Sequence, residues 1–147
     1  MATPGPALLW RYRQRTGELL HGDVLFARGY AGRGEGKNNP AMQGVRATGP
    51  IPQGSYQIVG PPHAGGHMGP DVLYLAPAPD NVMFGRGGFF IHSDSIHAPG
   101  TASEGCIVID PPRLRWAIWD SGDHYLLVES GDEPEPPAAG AAKEPTA

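Results

Sequence analysis

The sequence has little of three features that would assign it to a common class: cysteine, a surplus of basic residues and long apolar runs. Cys106 is the single cysteine among 147 residues, so an internal disulfide is excluded and a lone thiol needs an explanation. Lys and Arg total 11 against 15 acidic residues, which gives no electrostatic reason to expect a nucleic-acid partner. No apolar run approaches the roughly 20 residues that span a bilayer, so we expect no membrane insertion.

An export signal is also lacking at the N-terminus. Met1–Pro6 provides no basic start, no apolar stretch and no small-residue cleavage site. We therefore expect the protein to be made in the cytoplasm without a signal peptide. If it acts outside the cytoplasm, a route other than general secretion must carry it there.

Glycine and proline are abundant, with 22 and 17 copies, a share that by itself would suggest disorder. Most of them lie between short aliphatic and aromatic runs, which is the pattern of short strands joined by turns. This predicts a mostly β domain over residues 1–130, with one convincing helix at Arg113–Asp120 after two prolines. Residues 131–147 are rich in Pro, Ala and Glu, so we expect a disordered tail there.

The first predicted hairpin, Leu8–His21, has arginine at every second position of its first strand. Thr16 and Gly17 supply the turn, and aromatic residues alternate with Arg11, Arg13 and Arg15. An alternating charged stripe is typical of a solvated strand face. We therefore expect the three arginines to face water.

The residues most informative about chemistry are a histidine and the lone cysteine. His92 ends the apolar segment Phe89–His92, and Cys106 follows glycine at the start of the next apolar run. A cysteine becomes an effective nucleophile when a base or cation favours its thiolate, and two adjacent strand ends could bring this histidine to it. Amides near Cys106 could receive a developing oxyanion. From these residues alone, a buried apolar cysteine and a hydrogen-bonded structural histidine remain equally good readings.

The order of motifs resembles a known family. Ile91-His92-Ser93 followed by Ser103-Glu104-Gly105-Cys106 is similar to the signature of the L,D-transpeptidase catalytic domain, the YkuD fold. The resemblance is closest to the small L,D-transpeptidase-type effectors of type VI secretion and runs from about Leu8 to Glu129. The further motifs that carry it are Gly36-Lys37-Asn38-Asn39-Pro40, Gly49-Pro50-Ile51-Pro52 with Gly54 and Tyr56, and Gly85-Arg86 ahead of the histidine strand.

The resemblance implies a YkuD-like β-sandwich with one short helix after the cysteine, and peptidoglycan stem peptides as substrate. Cys106 would be the nucleophile and His92 its base. The backbone carbonyl of Ser93 would orient that histidine. The resemblance further implies that Ser103 and Gly105 shape the nucleophile turn, where we also expect Ser103 to contact substrate. From the residues themselves we expect Arg86 to bind a stem carboxylate. Tyr30 and the loop with Arg33 and Lys37 are candidates to line the substrate groove, and a plain surface loop is the equal alternative there. The resemblance also implies a secretion machinery and a cognate immunity protein as partners.

Departures from the family pattern leave two points open: what replaces the family's polar residue in substrate binding, and which histidine is the base. Glu104 stands where the wider family often has histidine, and Val108 stands where a polar residue is common. The interval from His92 to Cys106 is short and includes His97, which is the alternative base. We favour His92 because it lies on an apolar strand.

Other functions fit the residue order less well. In papain-like and NlpC/P60 peptidases the cysteine precedes the histidine, and in sortases the histidine lies much further upstream. The runner-up from another class is a non-catalytic peptidoglycan-binding module. His63 and His67 have a metal-like spacing, but the glycines between them argue against the helix that would align them, so we expect no metal and no cofactor.

Overall fold

The computed structural model describes residues 8–133 and consists mainly of short strands. One α-helix, α1 (Pro112–Asp120), follows the cysteine as predicted, and three single 3-10 turns lie in the loops. The strands are β1 (Trp10–Arg13), β2 (Glu18–His21), β3 (Val24–Arg28), β4 (Tyr30–Ala31), β5 (Gly54–His63), β6 (Val72–Pro77), β7 (Phe89–His92), β8 (Ile107–Val108) and β9 (Tyr125–Glu129). The mostly β fold is confirmed.

All nine strands belong to one hydrogen-bonded sheet, in the order β3-β2-β1-β9-β5-β6-β7-β8-β4. The sheet is nearly closed. Most neighbours are antiparallel, but β1 pairs with β9 and β7 pairs with β8 in parallel. The β7–β8 pair is central to the site because Cys106, which directly precedes β8, lies beside Phe90, two residues before His92 at the end of β7.

The core lies on the inner face of this sheet. Apolar side chains from β1, β5, β6, β7, β8 and β9 are almost wholly removed from water, and Ile118 from α1 joins them. Burial of this kind supplies most of the favourable free energy of folding. No helix within residues 8–133 has the length and apolar character needed to cross a bilayer.

The expectation that the hairpin arginines face water is wrong for two of the three. Arg13 is 1% exposed and Arg11 is mostly buried, whereas Arg15 is half exposed. The parallel pairing of β1 with β9 sets Arg13 opposite Glu129, and the Glu129 carboxylate accepts hydrogen bonds from Arg11. Buried charges are tolerated when they are paired in this way.

The first residues of the predicted tail are attached to the domain. Arg13 donates to the carbonyl oxygens of Gly131 and Glu133, and Arg15 forms a two-pronged ion pair with Asp132. Residues 134–147, where the rest of the predicted disordered tail falls, lie outside the described residues. The ordered domain therefore extends at least to Glu133.

Candidate active site

Parallel pairing of β7 and β8 places His92 and Cys106 on one face of the sheet. Ile91 pairs with Ile107, so one step back Phe90 lies beside Cys106, and its N–H donates to Cys106 Sγ at 3.3 Å. Side chains alternate along a strand, so Cys106 shares a face with His92, two residues beyond Phe90. Regular sheet spacings put the two Cα atoms about 8 Å apart, which a histidine and a cysteine side chain can bridge.

The structure fixes which nitrogen of His92 is free to act. Nδ1 lies 2.7 Å from the carbonyl oxygen of Ser93, which can only accept, so Nδ1 carries the hydrogen and Nε2 has a free lone pair. This is the orienting contact that the resemblance implies for Ser93. Burial lowers the pKa of His92 below its ordinary value, and the charge of Arg115 adds to the decrease, while the Ser93 contact opposes it. His92 is therefore held as a neutral base.

The Cys106 thiol is partly buried and has two backbone neighbours. It donates to the Gly88 carbonyl at 3.7 Å and accepts from the Phe90 amide. Burial raises the pKa of Cys106, while the Phe90 amide, the Arg86 charge and its own amide favour the thiolate and oppose that increase. The resting sulfur is thus a protonated thiol that needs a base to remove its proton.

Ser103 holds the turn that presents the nucleophile. Its side chain is wholly buried, and its hydroxyl donates to the Cys106 carbonyl at 2.6 Å. The same oxygen accepts from the amides of Gly32 and Gly105, each at 2.9 Å. One donor and two acceptor sites are the full capacity of a hydroxyl. Ser103 therefore shapes the nucleophile turn, as the resemblance implies, and its hydroxyl is not free for the substrate contact that we also expected.

Gly105 is required by its backbone conformation and by crowding. Its φ is +147°, and a Cβ there would lie 2.6 Å from Arg86 Nη2 and 2.9 Å from the Phe89 ring. Its carbonyl accepts from the Ile51 amide, and its own N–H is taken by Ser103. Of the amides expected to receive an oxyanion, the Gly105 amide is therefore occupied, which leaves the Cys106 amide beside the sulfur.

Arg86 lines the cleft, but most of its hydrogen-bond donors bind the backbone of the protein itself. Its guanidinium donates to four backbone carbonyls and lies over the Phe89 ring at 5.2 Å. The acceptors are the carbonyl oxygens of Gln43, Gly49, Pro50 and Glu104. These bonds fix the loop before Cys106, and the charge of Arg86 favours the thiolate, while its contact with substrate stays a prediction.

Tyr30 does not line the cleft. It is 8% exposed, its hydroxyl donates to Asp94 at 2.6 Å, and that hydroxyl accepts from the Ala102 amide at 2.9 Å. Lys37 Nζ lies 4.3 Å from its ring centre. Tyr30 thus braces the loop between His92 and Cys106, and the expectation that it contacts substrate is corrected.

Arg115, a buried residue of α1, supports His92 indirectly through a hydrogen bond to Ser93. The residue pattern gave no sign of this role, since helical spacing predicts an apolar side chain at a buried position. Arg115 is 0% exposed and all its donors are used. They bind the carbonyls of Pro70, Asp71 and Ile109, the carboxylate of Asp110 and the hydroxyl of Ser93. Arg115 therefore fixes the residue whose carbonyl orients His92.

His92 and Cys106 open into a cleft with a volume of about 1490 Å³. His97, the alternative base, also lines it, but from an exposed loop. Arg33, from the loop that was a candidate to line the groove, also lines the cleft, whereas sequence reasoning missed His67 and Arg46 there. A pocket of this size accommodates a peptide segment rather than a single small molecule. Within residues 8–133, no three His, Cys, Asp or Glu side chains are arranged to hold a metal ion.

Comparison with known proteins gives a family but no close relative. No curated protein and no solved structure matches the chain. A family model described as the Tlde1 domain matches residues 26–124, which include His92 at the end of β7 and Cys106 just before β8. This match covers about two thirds of the chain and shows that the protein belongs to the Tlde1 domain family, a type VI secretion effector domain.

Proposed function

We propose that the protein is a cysteine enzyme that acts on the peptide stem of peptidoglycan, as an L,D-carboxypeptidase or L,D-transpeptidase. The observation that carries the proposal is the joint placement of Cys106 and His92 in one cleft, with His92 Nδ1 fixed on Ser93. This leaves Nε2 free to act as a base. The motif resemblance supplies the substrate class, and membership of an effector family supports a target outside the producing cell.

In the first step the sulfur of Cys106 bonds to the carbonyl carbon before the terminal D-alanine. His92 Nε2 takes the thiol proton as the bond forms, and the carbonyl oxygen becomes an oxyanion near the Cys106 amide. The carbon–nitrogen bond then breaks, and the imidazolium gives its proton to the leaving amine. The products are free D-alanine and a thioester on Cys106.

In the second step an acceptor releases the acyl group. Water, a D-amino acid or the amine of a neighbouring stem attacks the thioester, and His92 again takes the proton. The sulfur leaves as thiolate and recovers the proton from the imidazolium. Hydrolysis, exchange and cross-linking differ only in the acceptor that reaches the cleft.

The charges of the free site fit this sequence of proton transfers. Burial disfavours both a thiolate at Cys106 and an imidazolium at His92, since the pKa of the thiol is raised and that of the imidazole is lowered. The resting pair is neutral, and the charge pair forms only when substrate is attacked. The Phe90 amide and Arg86 stabilise the developing thiolate.

The test is incubation with purified muropeptides that carry tetrapeptide stems, followed by mass spectrometry of the products. We expect loss of one D-alanine, exchange for an added D-amino acid, or a cross-linked dimer. Cys106→Ala should abolish turnover, and His92→Gln should lower it about 10²- to 10⁴-fold, as for removal of a general base.

Two histidine variants are matched controls. His97→Gln changes the alternative base in the same cleft, and His63→Gln changes an exposed histidine outside it. Both should keep nearly full activity. Full turnover in Cys106→Ala would reject Cys106 as the nucleophile, and a loss confined to His97→Gln would make His97 the base. Binding of muropeptides without any turnover by the unaltered protein would instead favour a non-catalytic peptidoglycan-binding module.

The proposed place of action is the periplasm of a target bacterium, reached by secretion. Mature stems lie beyond the inner membrane, so expression in the cytoplasm of a test host should be harmless. Fusion of a signal peptide should make expression damaging, and Cys106→Ala should abolish the damage. Equal toxicity in both compartments would contradict this target.

A further inference from the structure

Arg33 and Arg46 line the cleft on neighbouring backbone segments, and this wall reaches the nucleophile turn, where Arg33 contacts Glu104. The Arg33 amide donates to the Thr48 carbonyl at 2.9 Å, which joins the backbone of Arg33 to the segment that carries Arg46. Arg46 is in the middle of a tight turn closed by hydrogen bonds from the Thr48 and Gly49 amides to the Val45 carbonyl. Both residues line the cleft, and their backbone segments are held by these hydrogen bonds.

The side chains of Arg33 and Arg46 form few and weak interactions with the rest of the described protein. Arg33 makes a single 3.5 Å contact with the Glu104 carboxylate, and both partners are more than half exposed. Exposed pairs of this kind contribute little and exchange readily. Within residues 8–133, the side chain of Arg46 makes no hydrogen bond or ion pair. In contrast, the neighbouring Arg86 is held by four carbonyls.

The other carboxylates of the cleft are not available to neutralise this wall. Asp94 accepts from the Tyr30 hydroxyl and from the amides of Ser95 and Gly100. Asp110 accepts from Arg115 and from the Asp94 amide. Glu104 is the one cleft carboxylate of the described residues that faces an arginine of this wall, so the wall keeps a net positive charge.

We infer that Arg33 and Arg46 bind the terminal carboxylate of the substrate peptide, on the side where the residue released by Cys106 lies. This inference rests on the proposed function, because it concerns the same cleft and the same attack. Glu104 is two residues from Cys106, so their Cα atoms are at most about 7 Å apart, and Arg33 contacts Glu104. A carboxylate one residue beyond the attacked carbonyl falls within reach of an arginine there.

Glu104 then acts as a weak internal competitor. Its carboxylate contacts Arg33 in the free protein and would be displaced when the substrate carboxylate arrives. Planar guanidinium groups suit this exchange because they bind carboxylates with two parallel hydrogen bonds. The arrangement selects peptides with a free C-terminus over internal peptide bonds and amidated ends.

The experiment uses the full chain with Cys106→Ala, which binds without turnover. Isothermal titration compares two tetrapeptide stems that differ only at the last residue, one ending in D-alanine and the other in D-alaninamide. We expect the acid to bind about five- to tenfold more tightly than the amide. Arg46→Gln and Arg33→Gln should each reduce that preference, the double variant should remove it, and Glu104→Gln should increase it.

Arg113→Gln, an exposed arginine of α1 that does not line the cleft, is the matched control and should keep the full preference. Equal binding of acid and amide, or a preference that survives the double variant, would overturn this inference while leaving the proposed function intact. If neither peptide binds, and the wild-type protein does not turn over tetrapeptide stems, both are overturned together.

Discussion

Replacing Arg115 with methionine should cost both stability and activity, because one buried side chain serves both. The change keeps a long side chain but leaves the buried Ile109 carbonyl, the partly buried Pro70 and Asp71 carbonyls and the Asp110 carboxylate without their donor. Each unsatisfied buried group costs about 1–3 kcal/mol, and breaking a buried ion pair costs about 3–5 kcal/mol. Asp110 is 38% exposed and can regain water, so we expect a loss of about 4 kcal/mol. For a domain of this size that lowers the Tm by roughly 10–15 °C.

Urea denaturation and calorimetry measure the loss, with Arg113→Met as the control on the exposed side of the same helix. The pH dependence of kcat/KM is a second readout, which distinguishes a role of Arg115 in positioning His92 from a role in stability alone. The Arg115 charge contributes to the lowered pKa of His92, so its removal should move the acid limb of kcat/KM to higher pH in the folded variant. A stability loss below about 1 kcal/mol, or an unmoved acid limb, would refute the role assigned to Arg115.

Three further predictions concern the site and the domain boundary. The acid limb of kcat/KM should have its midpoint below pH 6.5, because burial lowers the pKa of His92 and the neutral imidazole is the active form; a midpoint above 6.5 would contradict this. Ser103→Ala should cost about 2–4 kcal/mol in denaturation and lower activity, since two buried amides lose their acceptor, whereas Ser55→Ala on the surface should do neither. A chain ending at Ser130 should be about 1–3 kcal/mol less stable than one ending at Glu133, because the bonds from Arg13 and Arg15 to the tail are lost; equal melting would show that these contacts contribute nothing.

Local patterns in the sequence were sufficient to predict the strands and to single out His92 and Cys106 as candidate site residues. Alternating apolar runs bounded by glycine and proline predicted the mostly β fold, and two prolines marked the start of α1. The strand that ends at His92 and the turn that leads to Cys106 are continuous segments, so their residues could be recognised directly. The contact between His92 and Ser93 is likewise local and could be expected from the family pattern.

Contacts between distant segments could not be predicted from such patterns. Arg13 is buried because β9, far along the chain, pairs in parallel with β1 and sets Glu129 opposite it. Arg115 is buried because carbonyls from two separate loops converge on its guanidinium, whereas helical spacing predicts an apolar residue there. Arg46 lies in a loop without periodicity, so nothing in the sequence placed it beside the cleft.

The central claim, that Cys106 forms a covalent intermediate with a peptidoglycan stem, is tested most directly by the mass of the intact protein. The protein is mixed briefly with a tetrapeptide stem, quenched in acid and measured, and the modified residue is then located by digestion. The account predicts a gain equal to the stem less D-alanine, located on Cys106 and absent in Cys106→Ala. An unchanged mass while D-alanine is released, or an adduct on another residue, would contradict it.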